Sequence, residues 1–259
     1  INYFNFGGNM ENENKILTLA NLTGKIALQS GAETYRVEDI ISRICKHYGL
    51  NAQCFVSITC IITSVRNYQG KIFCSVERVQ SRTTNLNKIH SINQLVRDIK
   101  KYTFEEFSEK LHCIEHEVPY KNSIYFSAYC GGAFFFALLG GGNLHDALSA
   151  SIGGGIIFVI SNLANKLQAN NFFINILGGF ICTLSSYISF KIGFTNTVSY
   201  STIGTIMLLV PGIALTNAVR DLVAGDLLSG LSRAAEAFLI GAALASGTGI
   251  ALFIILKFG

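Results

Sequence analysis

The sequence predicts an α-helical membrane protein in which five transmembrane helices follow a small α+β cytoplasmic domain. Charge is the first observation, because the first 118 residues carry twenty-six charged side chains and the rest of the 259-residue chain carries ten. Apolar length is the second, because the charge-poor part divides into stretches of about 20 residues, which is what a helix needs to cross a bilayer. We therefore predict a cytoplasmic domain at 1–118 and a membrane domain at 119–259.

The N-terminal domain shows both helical and strand periodicity. A stretch rich in β-branched residues at 52–65 alternates as a single strand would, and Asn67-Tyr68-Gln69-Gly70 predicts a turn into a return strand at 72–79. Thr103 with Glu106 predicts a capping box at the start of the last helix. Apolar residues recur at helical spacing in 16–28, 35–48, 85–101 and 103–116.

The membrane spans are predicted near 122–139, 144–164, 172–191, 197–216 and 232–256. Pro211 lies inside the fourth, where we expect a kink or break, since proline removes a helix hydrogen bond. Small residues at helical spacing predict close-packing faces. These faces are Gly241, Ala245 and Gly249 in the last span, the glycines at 153–155, and those at 178–179.

Short connectors indicate orientation. Lysine and arginine favour the cytoplasmic side of a membrane, and four basic residues fall on the side of the N-terminal domain against two on the other. The first twenty residues show no secretory signal pattern. We expect a multi-pass protein of the cell inner membrane, with its N-terminal domain in the cytoplasm and its C-terminus outside. The four basic residues on the side of the N-terminal domain are Lys121, Lys166, Arg220 and Arg233, and the two on the other side are Lys191 and Lys257.

Composition argues against several classes. The net charge is +4 without a basic cluster, so no nucleic-acid partner is expected. The seven cysteines form no C-x-x-C pair and indicate reduced thiols. His112-Cys113-Ile114-Glu115-His116 matches a zinc-peptidase pattern, but a solvated helix end just before the membrane explains it more simply. We assign no metal, no cofactor and no enzymatic activity.

The segment from Leu208 to Ala237 combines a helix break at Pro211-Gly212 with a group of polar and ionisable residues. Such residues close to a bilayer usually pair with one another or take part in transport. Two interpretations stay open: a transport site, or a connector whose charges lie in water or in mutual salt bridges. The residues are Thr216, Asn217, Arg220, Asp221, Asp226, Ser229, Arg233 and Glu236.

Three stretches resemble the threonine/serine exporter family, some of whose two-component relatives are linked to succinate export. They are SGAETYRVED at 30–39, LVPG at 209–212 and T-N-x-x-R-D-x-x-x-G-D-x-x-S-G at 216–230. The likeness extends over nearly the whole chain. It implies an inner-membrane secondary transporter that uses the proton gradient to export a small carboxylate-bearing metabolite, such as threonine, serine or a dicarboxylate.

The resemblance also implies a partner. Full-length members look like two five-span modules in one chain, so this chain resembles the larger subunit of a split exporter. We therefore expect a separate, small five-span membrane subunit and a small-molecule substrate. A homo-oligomer is also compatible with this assignment.

Roles for individual residues follow as a hypothesis. Arg220 would meet a substrate carboxylate, because guanidinium binds carboxylate bidentately. The other substrate-binding residues are Thr216, Asn217 and Ser229; the proton-coupling residues are Asp221, Asp226 and Glu236; the hinge is Pro211 and Gly212. The cytoplasmic motif, with Glu33, Thr34, Arg36, Glu38 and Asp39, is either a gate or docking surface, or a set of helix caps and exposed ion pairs.

Two further hypotheses come from other classes. The chain could be a membrane-anchored sensor or scaffold whose cytoplasmic domain binds a ligand or a partner. It could also be a membrane metallopeptidase that uses His112 and His116.

Overall fold

The computed structural model describes residues 10–117, 120–166 and 170–258. The chain divides into two compact units. We call Ile1–Val118 with Ile213–Ala234 the head unit, and Pro119–Gly212 with Ala235–Gly259 the span unit. The assignment of 1–118 to the cytoplasm and of 119–259 to the membrane remains a prediction.

Among the described residues, the N-terminal part of the head unit contains four α-helices and a three-stranded antiparallel sheet. Each helix predicted there is present, although the third ends early and continues as a short 3-10 turn at Ile99–Lys101. The strands are β1 (Asn51–Ser57), β2 (Cys60–Arg66) and β3 (Ile72–Arg78), in the order β1-β2-β3. The helices are α1 (Met10–Gln29), α2 (Thr34–His47), α3 (Leu86–Arg97) and α4 (Phe104–Glu115).

The single strand predicted at 52–65 is wrong, because the chain turns in its middle. Ser57 pairs with Cys60, so two residues join β1 to β2. Because of this turn, the even-numbered residues face inward in β1 and the odd-numbered residues face inward in β2. Val56 is buried on the inner face of β1, but in β2 the buried residues are Ile61, Thr63 and Val65, and Ile62 is 43% exposed. The turn carries none of the glycine, asparagine or aspartate signals that mark most hairpins.

One apolar core holds the N-terminal part of the head unit together. α1 contacts β2 and β3, α2 contacts β1, and both α3 and α4 pack on α1. Thr103 accepts from the backbone N–H of Glu106 while the Glu106 carboxylate accepts from that of Thr103, so the predicted capping box is confirmed. The largest fully buried apolar side chains include Leu28, Ile41, Ile44, Ile61, Ile92, Phe107 and Leu111.

The span unit is built from long apolar helices. α6 (Leu144–Lys166) and α8 (Ser199–Ile206) each contact both α5 (Asn122–Leu139) and α7 (Asn171–Lys191). α9 (Gly212–Ala224) and α10 (Leu227–Phe258) contribute residues to both units. Within the described residues, four helices are long and apolar enough to cross a membrane. They are Asn122–Leu139, Leu144–Ala164, Phe172–Lys191 and Leu227–Phe258.

The fourth predicted span, 197–216, contains α8 and the start of α9, with the expected break at Pro211 between them. α8 has eight residues and is about 12 Å long at the rise of an α-helix, well short of a bilayer. The helix stops before Pro211, as expected of a residue without a backbone donor, and α9 begins at Gly212. The number of membrane crossings therefore remains a prediction.

Glycines bring the span helices close together, although not all at the predicted places. A methyl group at Gly154 would lie 2.6 Å from the Tyr129 carbonyl oxygen, so this predicted packing site is confirmed. Gly241 and Gly249 have no described atom within 4 Å of the position of a Cβ, so the predicted face on the last span is wrong. Gly247 instead meets the backbone of Ile176 in α7. Spacing alone did not indicate which face of α10 meets its neighbour.

Candidate functional site

The candidate site is built around the short loop between α1 and α2. Gly31 has a φ of +95°, a left-handed conformation that glycine adopts without strain, and it turns the chain sharply after α1. Glu33 occupies the N-cap position of α2 but makes no side-chain cap hydrogen bond. The loop therefore presents the carbonyl groups at its start and the first backbone N–H group of α2 to other partners.

Those partners come from α9 and the start of α10, more than 180 residues later in the chain. Asn217 Nδ2 donates to the Gly31 carbonyl oxygen at 2.9 Å, and Arg233 Nη2 donates to that of Ala32 at 2.8 Å. The N–H group of Thr34 donates to Asp221 Oδ1 at 3.2 Å. Asp221 thus caps α2 from a distant segment, where an anion also suits the helix dipole.

A buried ion pair lies behind this loop. Arg233 Nε is 3.0 Å from Asp221 Oδ2, and the two side chains are 6% and 0% exposed. Burial raises the pKa of Asp221, although the neighbouring Arg233 charge and the bonds from Thr34 act in the opposite direction. The carboxyl group therefore takes up a proton more readily than one in water would.

A second, half-exposed ion-pair group lies at the same loop. Arg220 Nη1 donates to Glu33 Oε1 at 2.7 Å, and Arg36 Nε lies 3.3 Å from Glu33 Oε2. The Glu33 side chain is 6% exposed, whereas those of Arg220 and Arg36 are 54% and 47% exposed. One buried carboxylate thus holds two guanidinium groups that still reach solvent.

Two more carboxylates lie beside the N-terminus of α2. Thr34 Oγ1 donates to Asp226 Oδ2 at 3.1 Å, and Glu38 Oε1 accepts from the Val56 N–H at 2.9 Å. Burial raises the pKa of Glu38, the bond from Val56 lowers it, and the charge of Asp226 raises it further. We call this whole group the motif cluster: Gly31, Ala32, Glu33, Thr34, Arg36, Glu38, Asn217, Arg220, Asp221, Asp226 and Arg233.

The motif cluster joins the two longest sequence motifs that resemble the exporter family. The family model described as "Putative threonine/serine exporter" (ThrE) matches residues 18–255. The chain belongs to the ThrE family. The family is described as one of exporters, and the apolar helices of this chain fit a multi-pass membrane protein.

Curated relatives of this ThrE chain fall into two groups of different length. The "Probable threonine/serine exporter" of Mycobacterium tuberculosis is 24% identical over 92% of this chain and 46% of its own length. The "Threonine/serine exporter" of Corynebacterium glutamicum is 25% identical over 92% of this chain and 50% of its length. This chain thus spans about half of each.

The second group matches end to end. The "Probable succinate transporter subunit YjjP" of Escherichia coli is 23% identical over 94% of this chain and 96% of its own length. No solved structure matches the chain.

Several other residues assigned to the site from the sequence lie elsewhere or face solvent. Ser229 Oγ donates to the Val56 carbonyl oxygen at 3.4 Å, close to the cluster. Thr216 is exposed on α9, and Glu236 is exposed in the span unit. Asp39 pairs with Arg43 on the surface of α2, with Arg43 Nε 2.7 Å from Asp39 Oδ2.

The observed contacts combine the interpretations that the sequence left open. Asp221 and Arg233 form the mutual salt bridge expected of a connector, and Glu33 and Arg36 form an i,i+3 pair. Within the head unit, the motif at 30–39 contacts α9 through Glu33 and the start of α10 through Ala32. That it acts as a gate or docking surface stays a prediction.

Sequence reasoning missed a group of buried hydroxyl side chains in the span unit of this ThrE chain. Thr205 Oγ1 lies 3.4 Å from the Ala150 carbonyl oxygen, so α8 presents a polar group to α6. The signal was available, since the run SYSTIGT at 199–205 places four serine and threonine residues inside an apolar stretch. The buried hydroxyl residues include Ser149, Thr183, Ser186, Ser201, Thr202 and Thr205.

Proposed function

We propose that this chain is the larger subunit of a split secondary exporter, which uses the proton gradient to move a small carboxylate-bearing metabolite out of the cell. The metabolite is threonine or serine, or a dicarboxylate such as succinate. The observation that carries the proposal is the motif cluster, where both family motifs meet in one charge network. A buried ion pair contributes little net stability compared with apolar packing, so its presence favours a functional role.

The substrate carboxylate is proposed to bind at Arg220. Guanidinium carries five N–H donors, and Glu33 takes one of those on Arg220, which is 54% exposed. Arg36 presents a second guanidinium on the same Glu33 carboxylate. Glu33 therefore occupies the place of a substrate carboxylate in this conformation, and substrate has to compete with it.

Neutral hydrogen bonds to the substrate are assigned to Thr216, Asn217 and Ser229. In this conformation Asn217 and Ser229 donate to the carbonyl groups of Gly31 and Val56. They become free for substrate only when α9 and the start of α10 part from the α1–α2 loop. The conformation described here is on this proposal a closed one.

Proton coupling is assigned to Asp221, Asp226 and Glu236. The raised pKa of Asp221 supports this for the first of them, because a buried carboxyl group gains and loses its proton nearer to neutral pH. Protonation of Asp221 removes the charge that pairs with Arg233. That loss would loosen the contact between α10 and the loop, and so link proton uptake to opening.

We assign the role of a hinge to the helix break at Pro211 and Gly212. Discontinuous helices in secondary transporters commonly lie at the substrate site. Here α8 ends at Ile206 and carries the buried hydroxyl groups of Ser201 and Thr205. Those hydroxyl groups are proposed to serve a polar substrate within the membrane.

A five-span partner subunit and an inner-membrane location complete the proposal, with the head unit in the cytoplasm and the C-terminus outside. Support comes from the relatives: this chain spans about half of two exporters but nearly all of a protein named a transporter subunit. A second copy of the chain in the assembly also remains part of the proposal.

The test is export of labelled serine, threonine and succinate from cells that express this chain with and without a five-span companion. We expect export of at least one substrate, and Arg220→Gln should abolish it. Arg43→Gln is the matched control, because Arg43 forms an exposed ion pair with Asp39 in the head unit. No export with any companion, or full export by Arg220→Gln, would contradict the proposal.

A further inference from the structure

The C-terminal end of α4 brings together three side chains that can bind a metal ion. His112, Glu115 and His116 are spaced i, i+3 and i+4, which places them on one face of a helix. One ligand atom from each lies within 4.8 Å of the others, and the two imidazole rings are 4.1 Å apart between centroids.

The ring orientation of His116 suits a metal ligand. Its Nδ1 lies 3.0 Å from the His112 carbonyl oxygen. A carbonyl oxygen only accepts, so Nδ1 carries the proton and Nε2 keeps its lone pair. Metal-ligating histidines almost always donate their other ring N–H in this way, which fixes the tautomer and the ring orientation.

The helix end that carries these residues is well anchored. Lys88 Nζ donates to the Glu115 carbonyl oxygen at 2.6 Å, which ties the last turn of α4 to α3. Phe107 and Leu111 on the same helix are fully buried in the core. The backbone is therefore held in place while the ligating side chains reach solvent, those of His112 and Glu115 being 71% and 38% exposed.

We infer that His112, Glu115 and His116 form a binding site for a divalent transition-metal ion such as Zn²⁺. Two imidazole nitrogens and one carboxylate oxygen are ligands that Zn²⁺ accepts, and water completes its tetrahedral shell. Mg²⁺ and Ca²⁺ prefer an all-oxygen shell, so the donor set selects against them. The inference concerns binding and is independent of the proposed transport.

Calorimetric titration of Zn²⁺ into the purified full-length chain, free of any polyhistidine tag, tests the site. We expect one ion per chain, with affinity at least about tenfold lower in His112→Ala and in His116→Ala, since each removes a ligand. His90→Ala, at an exposed position of α3, should leave the affinity unchanged. Retained affinity in both ligand variants, or no saturable binding by the wild type, overturns the inference.

Co²⁺ absorption distinguishes this site from one that uses the neighbouring thiol. Cys113 is exposed and lies next to His112 in the chain. Nitrogen and oxygen ligation gives a visible d–d band without a thiolate charge-transfer band, and Cys113→Ser should not change it. A charge-transfer band that disappears in Cys113→Ser would overturn the assignment of the three ligands. Glu115→Gln, which keeps the side-chain shape, should weaken the band intensity and so tests the third ligand without risk to the fold.

Discussion

Arg233 Nε lies 3.0 Å from Asp221 Oδ2, and this pair joins the first turns of α10 to α9 with almost no solvent exposure. Arg233 also donates to the carbonyl oxygen of Ala32, while Asp221 accepts from the N–H of Thr34. The pair therefore bonds to the α1–α2 loop on either side of Glu33. Each charge is compensated only while the other is present.

The first prediction concerns that pair. Arg233→Met leaves Asp221 buried without its cation and should lower the free energy of unfolding of the head unit by about 3–5 kcal/mol. The double variant Asp221→Asn/Arg233→Met should recover a large part of the loss, because the buried charge is gone. Thermal and denaturant unfolding of the purified chain measure both. Equal stability of the single variant and the wild type would show that the pair is open in solution.

The second prediction concerns glycine packing in the span unit. A methyl group at Gly247 would meet the backbone of Ile176 and lie 2.9 Å from the Phe180 N atom. Gly247→Ala should therefore separate α10 from α7 and lower the thermal midpoint, since overpacking typically costs about 1–3 kcal/mol.

Gly249→Ala is the matched control for this change. It lies two residues further along the same helix with no described atom within 4 Å, and alanine is the better helix former. The two variants should shift the midpoint in opposite directions when measured by thermal unfolding in the same detergent. A midpoint that falls equally in both would show that another surface covers Gly249.

Local signals in the sequence predicted much of the fold. Helix periodicity and apolar length located α2 to α7 to within a few residues, although α1 begins well before its predicted start. Thr103 with Glu106 indicated the start of α4 correctly. Errors arose where local signals were weak or conflicting. The turn between Ser57 and Cys60 has no marker residue, and the apolar composition around Pro211 concealed how short α8 is.

The site was only half predictable. The sequence singled out Arg220 and Asp221, because charged residues are unusual beside apolar helices, and the family resemblance singled out Glu33. It gave no indication that the two motifs contact each other, since Glu33 and Arg220 are 187 positions apart. Such long-range pairing depends on tertiary packing, which periodicity does not encode. A single sequence therefore predicted the components of the cluster without its arrangement.

The third prediction concerns pH and Glu38. Burial raises its pKa above the ordinary 4.5, so the folded state holds this proton more tightly than the unfolded state. Its contribution to stability is then complete below that ordinary pKa and is lost as the pH rises through the raised value. Glu38→Gln can keep the bond from Val56 and removes the buried charge. The variant should match the wild type at pH 4 and melt about 2 °C higher at pH 7.5.

Asp39→Asn is the control for Glu38→Gln. Asp39 is the next residue in α2, and its exposed pair with Arg43 should contribute little at either pH. Melting temperatures across a pH series provide the measurement. A Glu38→Gln variant that melts lower than the wild type at pH 7.5 would show that the Glu38 charge has a stabilising partner.

The fourth prediction separates a substrate site from a structural contact at Arg220. If Glu33 occupies the place of a substrate carboxylate, Glu33→Gln removes the competing charge and leaves Arg220 and Arg36 available. Export should then reach half of its maximal rate at a substrate concentration lower by about threefold or more, which corresponds to a loss of about 0.7 kcal/mol of competition. A merely structural pair predicts the opposite, because its loss would weaken the cluster and reduce export at every concentration. Export rates over a range of internal serine or succinate concentrations distinguish the two, with Asp39→Asn as the variant that removes an exposed carboxylate from the same helix.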